Sequence, residues 1–186
     1  MVEVFVGFGS NIRPRHHLRA AALQLTRRFG PLRCSQVFRS PPYGFSGPDF
    51  LNLVAAFQSE SSPREIDAVL SEVEDTAGRG RGGARTGSRT IDLDLLLYGA
   101  RVDPGERLPR ADVLLYPFVL APLAELAPDM PHPVTGITFA GAWGDLTATR
   151  PALRAYGALD ALPADAAAAV DGDDLPRDVR RVAHEK

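Results

Sequence analysis

Thr90-Ile91-Asp92-Leu93-Asp94-Leu95-Leu96-Leu97 alternates polar and apolar side chains before it closes on a run of leucines. Period-two alternation marks a β-strand, in which residues two apart share a face. Asp92 and Asp94 therefore project together, about 7 Å apart along the chain. Ile91, Leu93, Leu95 and Leu97 fill the other face. Aspartate is disfavoured in strands, and like charges this close repel each other. Two readings answer that cost. Water can screen the pair on a solvated strand face. Alternatively, a hard cation can sit between the carboxylates, and magnesium typically takes one or two carboxylates together with phosphate oxygens and water.

The segment leading into this strand, Arg79-Gly80-Arg81-Gly82-Gly83-Ala84-Arg85-Thr86-Gly87-Ser88-Arg89, contains Arg79, Arg81, Arg85 and Arg89 and no acidic residue. Guanidinium forks suit phosphate oxygens, and glycine lets a loop open and close. Cations beside a carboxylate pair that holds metal call for an anion, and a nucleoside triphosphate supplies one. Gly/Arg runs also occur as plain surface loops and as RNA-binding segments.

Further toward the N-terminus, Val2 to Phe8 reads as a buried strand that ends in the turn Gly7-Phe8-Gly9-Ser10-Asn11. Leu18, Ala21, Ala22, Leu25 and Phe29 lie on one helical face, with Gly30-Pro31 as a stop. Arg33 to Arg39 and Phe50 to Phe57 read as strands. A second helix is capped by Ser62, opened by Pro63 and boxed by Glu65, with Gly78 placed to end it.

The resulting order, strand-helix-strand-strand-helix-strand, matches the ferredoxin-like βαββαβ arrangement. That is an α+β fold in which an antiparallel sheet carries helices on one face. Small C-terminal additions are expected at Phe118 to Leu126 and Phe139 to Trp143. Residues 1–144 read as one domain. Residues 145–186 are rich in Ala, Asp and Arg and poor in large apolar side chains, which favours a partly disordered tail with one weak helix around Ala164 to Val170.

Ser40-Pro41-Pro42-Tyr43-Gly44 forms a rigid turn off a strand, and Asn52 shares a strand face with Phe50 and Val54. An aromatic beside an amide can clamp and read a flat heterocycle. A structural Asn with its donors and acceptor paired has the same signature.

At 186 residues with 45% hydrophobic content, the chain is long enough for one sizeable core and too apolar for a disordered protein. Its net charge of −2 gives no general attraction to nucleic acid or membrane. Cys34 is the single cysteine, which rules out an intrachain disulfide and a cysteine-based zinc site. With neither a signal-peptide pattern nor a bilayer-length apolar run, the expectation is a cytoplasmic protein, monomeric by default. Gly7-Phe8-Gly9 lacks the third glycine of a dinucleotide fingerprint, because Ile12 stands there. His16 and His17 are adjacent and point apart on a helix, and His132 and His184 lack partners in spacing.

Gly87-Ser88-Arg89-Thr90-Ile91-Asp92-Leu93-Asp94-Leu95-Leu96 resembles the signature of the hydroxymethyldihydropterin pyrophosphokinases, enzymes of folate biosynthesis. Further matches follow in order: Gly9-Ser10-Asn11, Ser40-Pro41-Pro42, Asp49-Phe50-Leu51-Asn52, Glu74, Arg79 with Arg81, and Phe118-Val119-Leu120-Ala121-Pro122-Leu123. The resemblance covers roughly residues 2 to 143.

It implies an ATP-dependent transfer of pyrophosphate to 6-hydroxymethyl-7,8-dihydropterin, with Asp92 and Asp94 binding two magnesium ions between the substrates. Arg79, Arg81 and Arg89 would meet phosphates, with Arg79 and Arg89 counted as catalytic together with the two aspartates. Arg85 joins them as a nucleotide contact from the arginine loop, and Glu74 would help hold the nucleotide. Ser40, Pro41, Tyr43, Phe50, Asn52 and Phe118 would surround the pterin.

The chain departs from the family pattern where Ser71 replaces a glutamine, Thr86 a tryptophan, Arg110 a histidine and Tyr116 an arginine. A relative that binds but no longer catalyses is one alternative. An RNA-binding module is another, although no aromatic RNP-type segment is present and Asp171-Gly172-Asp173-Asp174 would repel a phosphate backbone.

Overall fold

The computed structural model describes residues 1–78, 88–149, 153 and 155–161. Its sheet is built from β1 (Val2–Ser10), β2 (Arg33–Cys34), β3 (Val37–Ser40), β4 (Phe50–Ser59), β5 (Asp92–Tyr98) and β6 (Ala155–Gly157). The helices are α1 (Pro14–Phe29), α2 (Pro63–Thr76), α3 (Pro117–Leu126) and α4 (Phe139–Thr149), with a 3-10 turn at Ala111–Leu114. The strands run β5-β1-β4-β3-β6, with β2 also on β4, and each pairing is antiparallel. Leaving β6 aside, this is the strand order that two split βαβ units produce.

Local signals set most of the boundaries. The Ser62 hydroxyl accepts from the Glu65 amide (3.4 Å), and the Glu65 carboxylate accepts from the Ser62 amide (2.7 Å), which closes the expected capping box at the start of α2. Gly30 (φ 88°) and Gly78 (φ 84°) supply the left-handed backbone beyond α1 and α2. Arg33 to Arg39 is two strands instead of one. Between them Ser35 bonds Val54 of β4 twice, its amide donating to the Val54 carbonyl (2.9 Å) and its Oγ accepting from the Val54 amide (3.1 Å), while Oγ also donates to the adjacent Gln36 carbonyl (2.7 Å).

The sheet separates two apolar layers. On one side, Leu18 and Leu25 of α1 and Ile66 and Leu70 of α2 bury against Val4, Val6, Phe8, Leu53, Leu93 and Leu95. Each such large side chain contributes about 1.5–3 kcal/mol on burial. On the other side, Val113, Leu120, Leu123 and Phe139 bury against Phe5, Val54, Ala56 and Leu96. Helices therefore cover both faces, which corrects the one-sided arrangement expected from the sequence. The nearly all-apolar α3 explains the difference, since it needs a buried surface of its own.

The expected division at residue 144 falls within α4. Beyond it, β6 adds to β3 in the register Val37↔Gly157 and Phe38↔Ala155. Arg19 on α1 donates to the carbonyls of Leu159 (3.0 Å) and Asp160 (3.1 Å), and Leu159 packs on the α1/α2 core. The helix expected at Ala164 to Val170 lies outside the described residues. No described helix is long and apolar enough to cross a membrane.

Candidate active site

The face covered by α3 and α4 continues past them as an open floor made by alternate residues of three strands. Across the sheet, β1 registers Gly9 against Asn52 of β4 and Asp92 of β5, and Gly7 against Val54 and Asp94. Two transverse rows result, Asn52–Gly9–Asp92 and Val54–Gly7–Asp94. The outer members of a row are two strand spacings apart, about 10 Å. The central glycines leave a trough between them. A Cβ at Gly9 would lie 3.2 Å from Asn52 Oδ1, and one at Gly7 would lie 3.3 Å from Leu96 Cδ1.

Walls rise from the loops at the strand ends and from α3 to enclose about 300 Å³, lined by Ser40, Pro41, Tyr43, Phe50, Asn52, Arg89, Asp92, Asp94 and Phe118 among others. That volume lies at the small end of ligand sites.

One end of the cavity is charged. Asp92 is paired with Arg89, and Asp94 Oδ1 lies 3.1 Å from Arg110 Nη2. Burial, followed by the neighbouring Asp92 charge, raises the Asp94 carboxyl from 3.8 to about 6. Arg110 opposes that rise, while Asp112 and Glu74 add to it. A buried carboxylate raised in this way beside a second one has the electrostatics of a cation site. Among the described residues, no group of three or more His, Cys, Asp or Glu could hold a metal alone. A cation here would take its remaining ligands from water and substrate oxygens, which suits magnesium's preference for a few carboxylates beside phosphate.

The other end is aromatic. Phe45 meets Phe50 edge-on at 6.2 Å, Tyr116 stacks on Phe118 at 5.2 Å, and Tyr43 meets Tyr116 at 5.3 Å. Asn52 is buried and donates from Nδ2 to Ser40 Oγ (2.9 Å), so the amide of the sequence reading is partnered by the other predicted polar residue of the pocket. Pro41 and Tyr43 are exposed at the rim, Tyr43 to 74%.

Three loops meet at one buried side chain. Asn11 Oδ1 accepts from the Arg89 amide (2.6 Å), and its Nδ2 donates to the Pro48 carbonyl (3.2 Å) and Ser88 Oγ (3.3 Å). The Asn11 and Ile12 amides both donate to the Arg89 carbonyl, at 3.1 and 3.2 Å. The Ser10 hydroxyl donates to the Thr90 carbonyl. Asn11 thus ties the loop before Phe50 to the residue that leads into the aspartate strand.

The predicted site residues Ser40, Pro41, Tyr43, Phe50, Asn52, Arg89, Asp92, Asp94 and Phe118 are gathered around this one cavity. Arg79, Arg81 and Arg85 lie outside the described residues, as does Thr86. Glu74 does not line the cavity. It is 5% exposed on α2, and its Oε1 accepts from the Leu93 amide (2.8 Å) on the outer edge of β5, between the two aspartates. The sequence reading had noted Arg110 and Tyr116 only as departures from a pattern, yet both line the cavity, as do Phe45 and Asp112. Arg110 and Asp112 sit in a loop without periodicity, so spacing gave no sign of them. The Gly7/Gly9 alternation opposite a strand of aspartates was the signal available for the trough.

Comparison with known proteins identifies the family of the chain. The profile of the 7,8-dihydro-6-hydroxymethylpterin-pyrophosphokinase (HPPK) family matches residues 5–128. A 2-amino-4-hydroxy-6-hydroxymethyldihydropteridine pyrophosphokinase from Synechocystis is 39% identical over 138 residues, 72% of this chain and 70% of that protein. The enzyme of the same name from Haemophilus influenzae is 35% identical over 139 residues, 72% of this chain and 86% of that one. Among solved structures, wild-type Plasmodium falciparum HPPK-DHPS superposes with a TM-score of 0.60 at 11% identity, over 79% of this chain and 45% of that longer one, a likeness of fold. With its profile match over most of the chain and relatives of this identity and coverage, the chain belongs to the 7,8-dihydro-6-hydroxymethylpterin-pyrophosphokinase family.

Proposed function

We propose that this chain transfers pyrophosphate from ATP to the hydroxymethyl group of 6-hydroxymethyl-7,8-dihydropterin, the family's step in folate biosynthesis, through the cavity over the glycine floor. The observation that carries the reading is the transverse row Asn52–Gly9–Asp92. It puts an amide suited to reading a ring edge and a carboxylate suited to a cation at the two ends of one trough.

In this reading Phe50 and Phe118 hold the flat pterin, while Asn52, fixed by Ser40, reads its edge. Pro41 and Tyr43 form the rim. Asp92 and Asp94 would hold two magnesium ions, which when bound would supply neutralisation of the phosphate charge. Arg89 contacts phosphate from its anchor on Asn11, joined by Arg79, Arg81 and Arg85. Glu74 supports the nucleotide indirectly, by fixing the edge of β5 between the metal-binding aspartates.

The pterin hydroxyl gives up its proton to solvent as its oxygen attacks the β-phosphorus, the bond from that phosphorus to the oxygen bridging the α-phosphate breaks, and AMP leaves. Such transfers depend on in-line placement and charge neutralisation more than on covalent help from the protein. The family's chemistry on ATP and a small pterin supports a cytoplasmic location, with those small molecules as its partners.

The test is AMP release from ATP and the pterin, with magnesium and with chelator. Magnesium-dependent AMP in step with pterin diphosphate is the expected result. Folded protein that binds both substrates and forms no AMP would make this a binding relative instead.

A further inference from the structure

Each aspartate of the charged end already has a guanidinium of its own, and the two guanidiniums are held differently. Arg89 is anchored by Asn11 beside the arginine segment. Arg110 comes from the opposite side, on the loop before the 3-10 turn. Its backbone amide donates to the Leu96 carbonyl (2.9 Å), which docks its main chain on the outer edge of β5. From there the side chain forks between two carboxylates, with Nη2 3.1 Å from Asp94 Oδ1 and Nε 3.2 Å from Asp112 Oδ2. It is 31% exposed and lines the cavity, so it has room to turn.

A divalent cation and a guanidinium repel each other and cannot comfortably share one carboxylate. Asp112 gives Arg110 a second carboxylate that it need not release when Asp94 is claimed by another cation. The remaining guanidinium donors would then face an incoming anion in the same cavity.

We propose that Arg110, suspended between Asp94 and Asp112, is a resident counter-ion that occupies the cation position at Asp94 in the free enzyme, so that metal loads there efficiently only with the polyphosphate that draws the guanidinium away. This inference rests on the reading of Asp94 as a metal ligand. It makes Arg110 a positioning residue that controls the order of loading, in addition to any contact it makes with substrate. Its consequence is selectivity against empty metal binding: free divalent cations compete with a built-in positive charge, whereas a cation that arrives with a polyphosphate does not.

The experiment uses the full chain with manganese as the probe, its binding followed by electron paramagnetic resonance at pH 8. Wild type, Arg110→Met, Arg110→Gln and Arg110→Lys are compared without nucleotide and with an ATP analogue whose α–β bridge is methylene. Without nucleotide, Arg110→Met and Arg110→Gln should bind manganese about tenfold more tightly than wild type, because a positive charge beside the site has gone. Arg110→Lys should stay near wild type. The enhancement of manganese binding by the analogue should shrink in the two neutral variants.

A residue that merely contacts nucleotide would leave nucleotide-free manganese affinity unmoved, so unchanged or weaker binding in both folded neutral variants overturns the proposal. Absence of manganese binding in wild type even with the analogue removes the metal reading itself, and this inference with it.

Discussion

The two faces of one sheet are built by the same strands and do opposite work. On β5, Leu93 and Leu95 point into the layer of α1 and α2 and are 6% exposed, while Asp92 and Asp94 point into the cavity at a quarter to a third exposure. On β1, Val6 and Phe8 fill the core, and Gly7 and Gly9 leave the opposite face bare. Strand period two thus separates stability from chemistry at single-residue resolution. One face gains from every carbon it buries. The other gives up packing, backs a repulsive pair, and depends on ligands to complete it.

That contrast can be broken by substitutions one residue apart. Asp94→Asn should lower turnover by about a thousandfold or more, since it removes one carboxylate of a minimal metal pair. Its melting temperature should match or exceed the parent's, because a repulsion is relieved. Activity within tenfold of wild type would sink the assignment.

Gly9→Val should come next. A side chain in the trough meets Asn52 Oδ1 at 3.2 Å from its first carbon. Pterin affinity should fall about a hundredfold, an expectation that rests on the cost of misfit at a shaped site. Calorimetric titration with the pterin measures it, and nucleotide affinity should change far less.

The mirror experiment is Leu93→Ala, on the core side between the two aspartates. It should cost about 2–5 kcal/mol in denaturant unfolding, while kcat measured well below its melting temperature falls less than tenfold. A folded Leu93→Ala protein with no activity would show that the two faces are not separable.

The smallest expected effect is in pH. The Asp94 carboxyl titrates near 6 in the folded, metal-free chain against an ordinary 3.8. Between those values the folded state binds the extra proton, so acidification from above 6 toward 4 stabilises the metal-free protein relative to its unfolded chain at this site. Magnesium binding shows the opposite trend, weakening as pH falls through about 6 because the proton competes for the same oxygens. In thermal melts with chelator, the margin by which Asp94→Asn exceeds wild type should be larger at pH 8 than at pH 5, where protonation of Asp94 relieves the wild type. An equal gap at both would refute the shift.

The sequence made legible what is repeated or capped. Alternation from Ile91 to Leu95 gave both faces of β5, and Ser62 with Pro63 and Glu65 gave the start of α2, because these signals lie within a few residues of what they determine. Leu97, expected on the face of Leu93 and Leu95, lies instead in the layer of α3, because the register against β1 shifts between Phe5 and Val6. Contacts at long range were not legible. Glu74 reads as a polar position on a helix, and only the packing of α2 beside β5 brings it to the Leu93 amide. Arg110 and Asp112 reach Asp94 because a loop docks on the strand edge. Ala155–Gly157 carries little strand propensity and joins the sheet through a register with β3 more than a hundred residues earlier. The residues gathered around the cavity were recoverable mainly from family resemblance. Asn52 alone could not be distinguished from a structural amide, and the structure shows it satisfied by Ser40 while it faces the trough.

The return of β6 to β3 has a consequence for behaviour in concentrated solution. An antiparallel sheet has two outer strands, and unpaired backbone on either is a template for self-association. At one end of this sheet, Val37 and Phe38 are already taken by Gly157 and Ala155. At the other, the Leu93 amide is taken by Glu74 and the Leu96 carbonyl by the Arg110 amide. A neighbouring molecule that offered a strand would meet only the three-residue β6 at the first end, and at the other would have to displace Glu74 or Arg110. Release of β6, Glu74 or Arg110 would lengthen the open edge from three residues to a full strand, and that is the change by which a variant of this protein would become sticky.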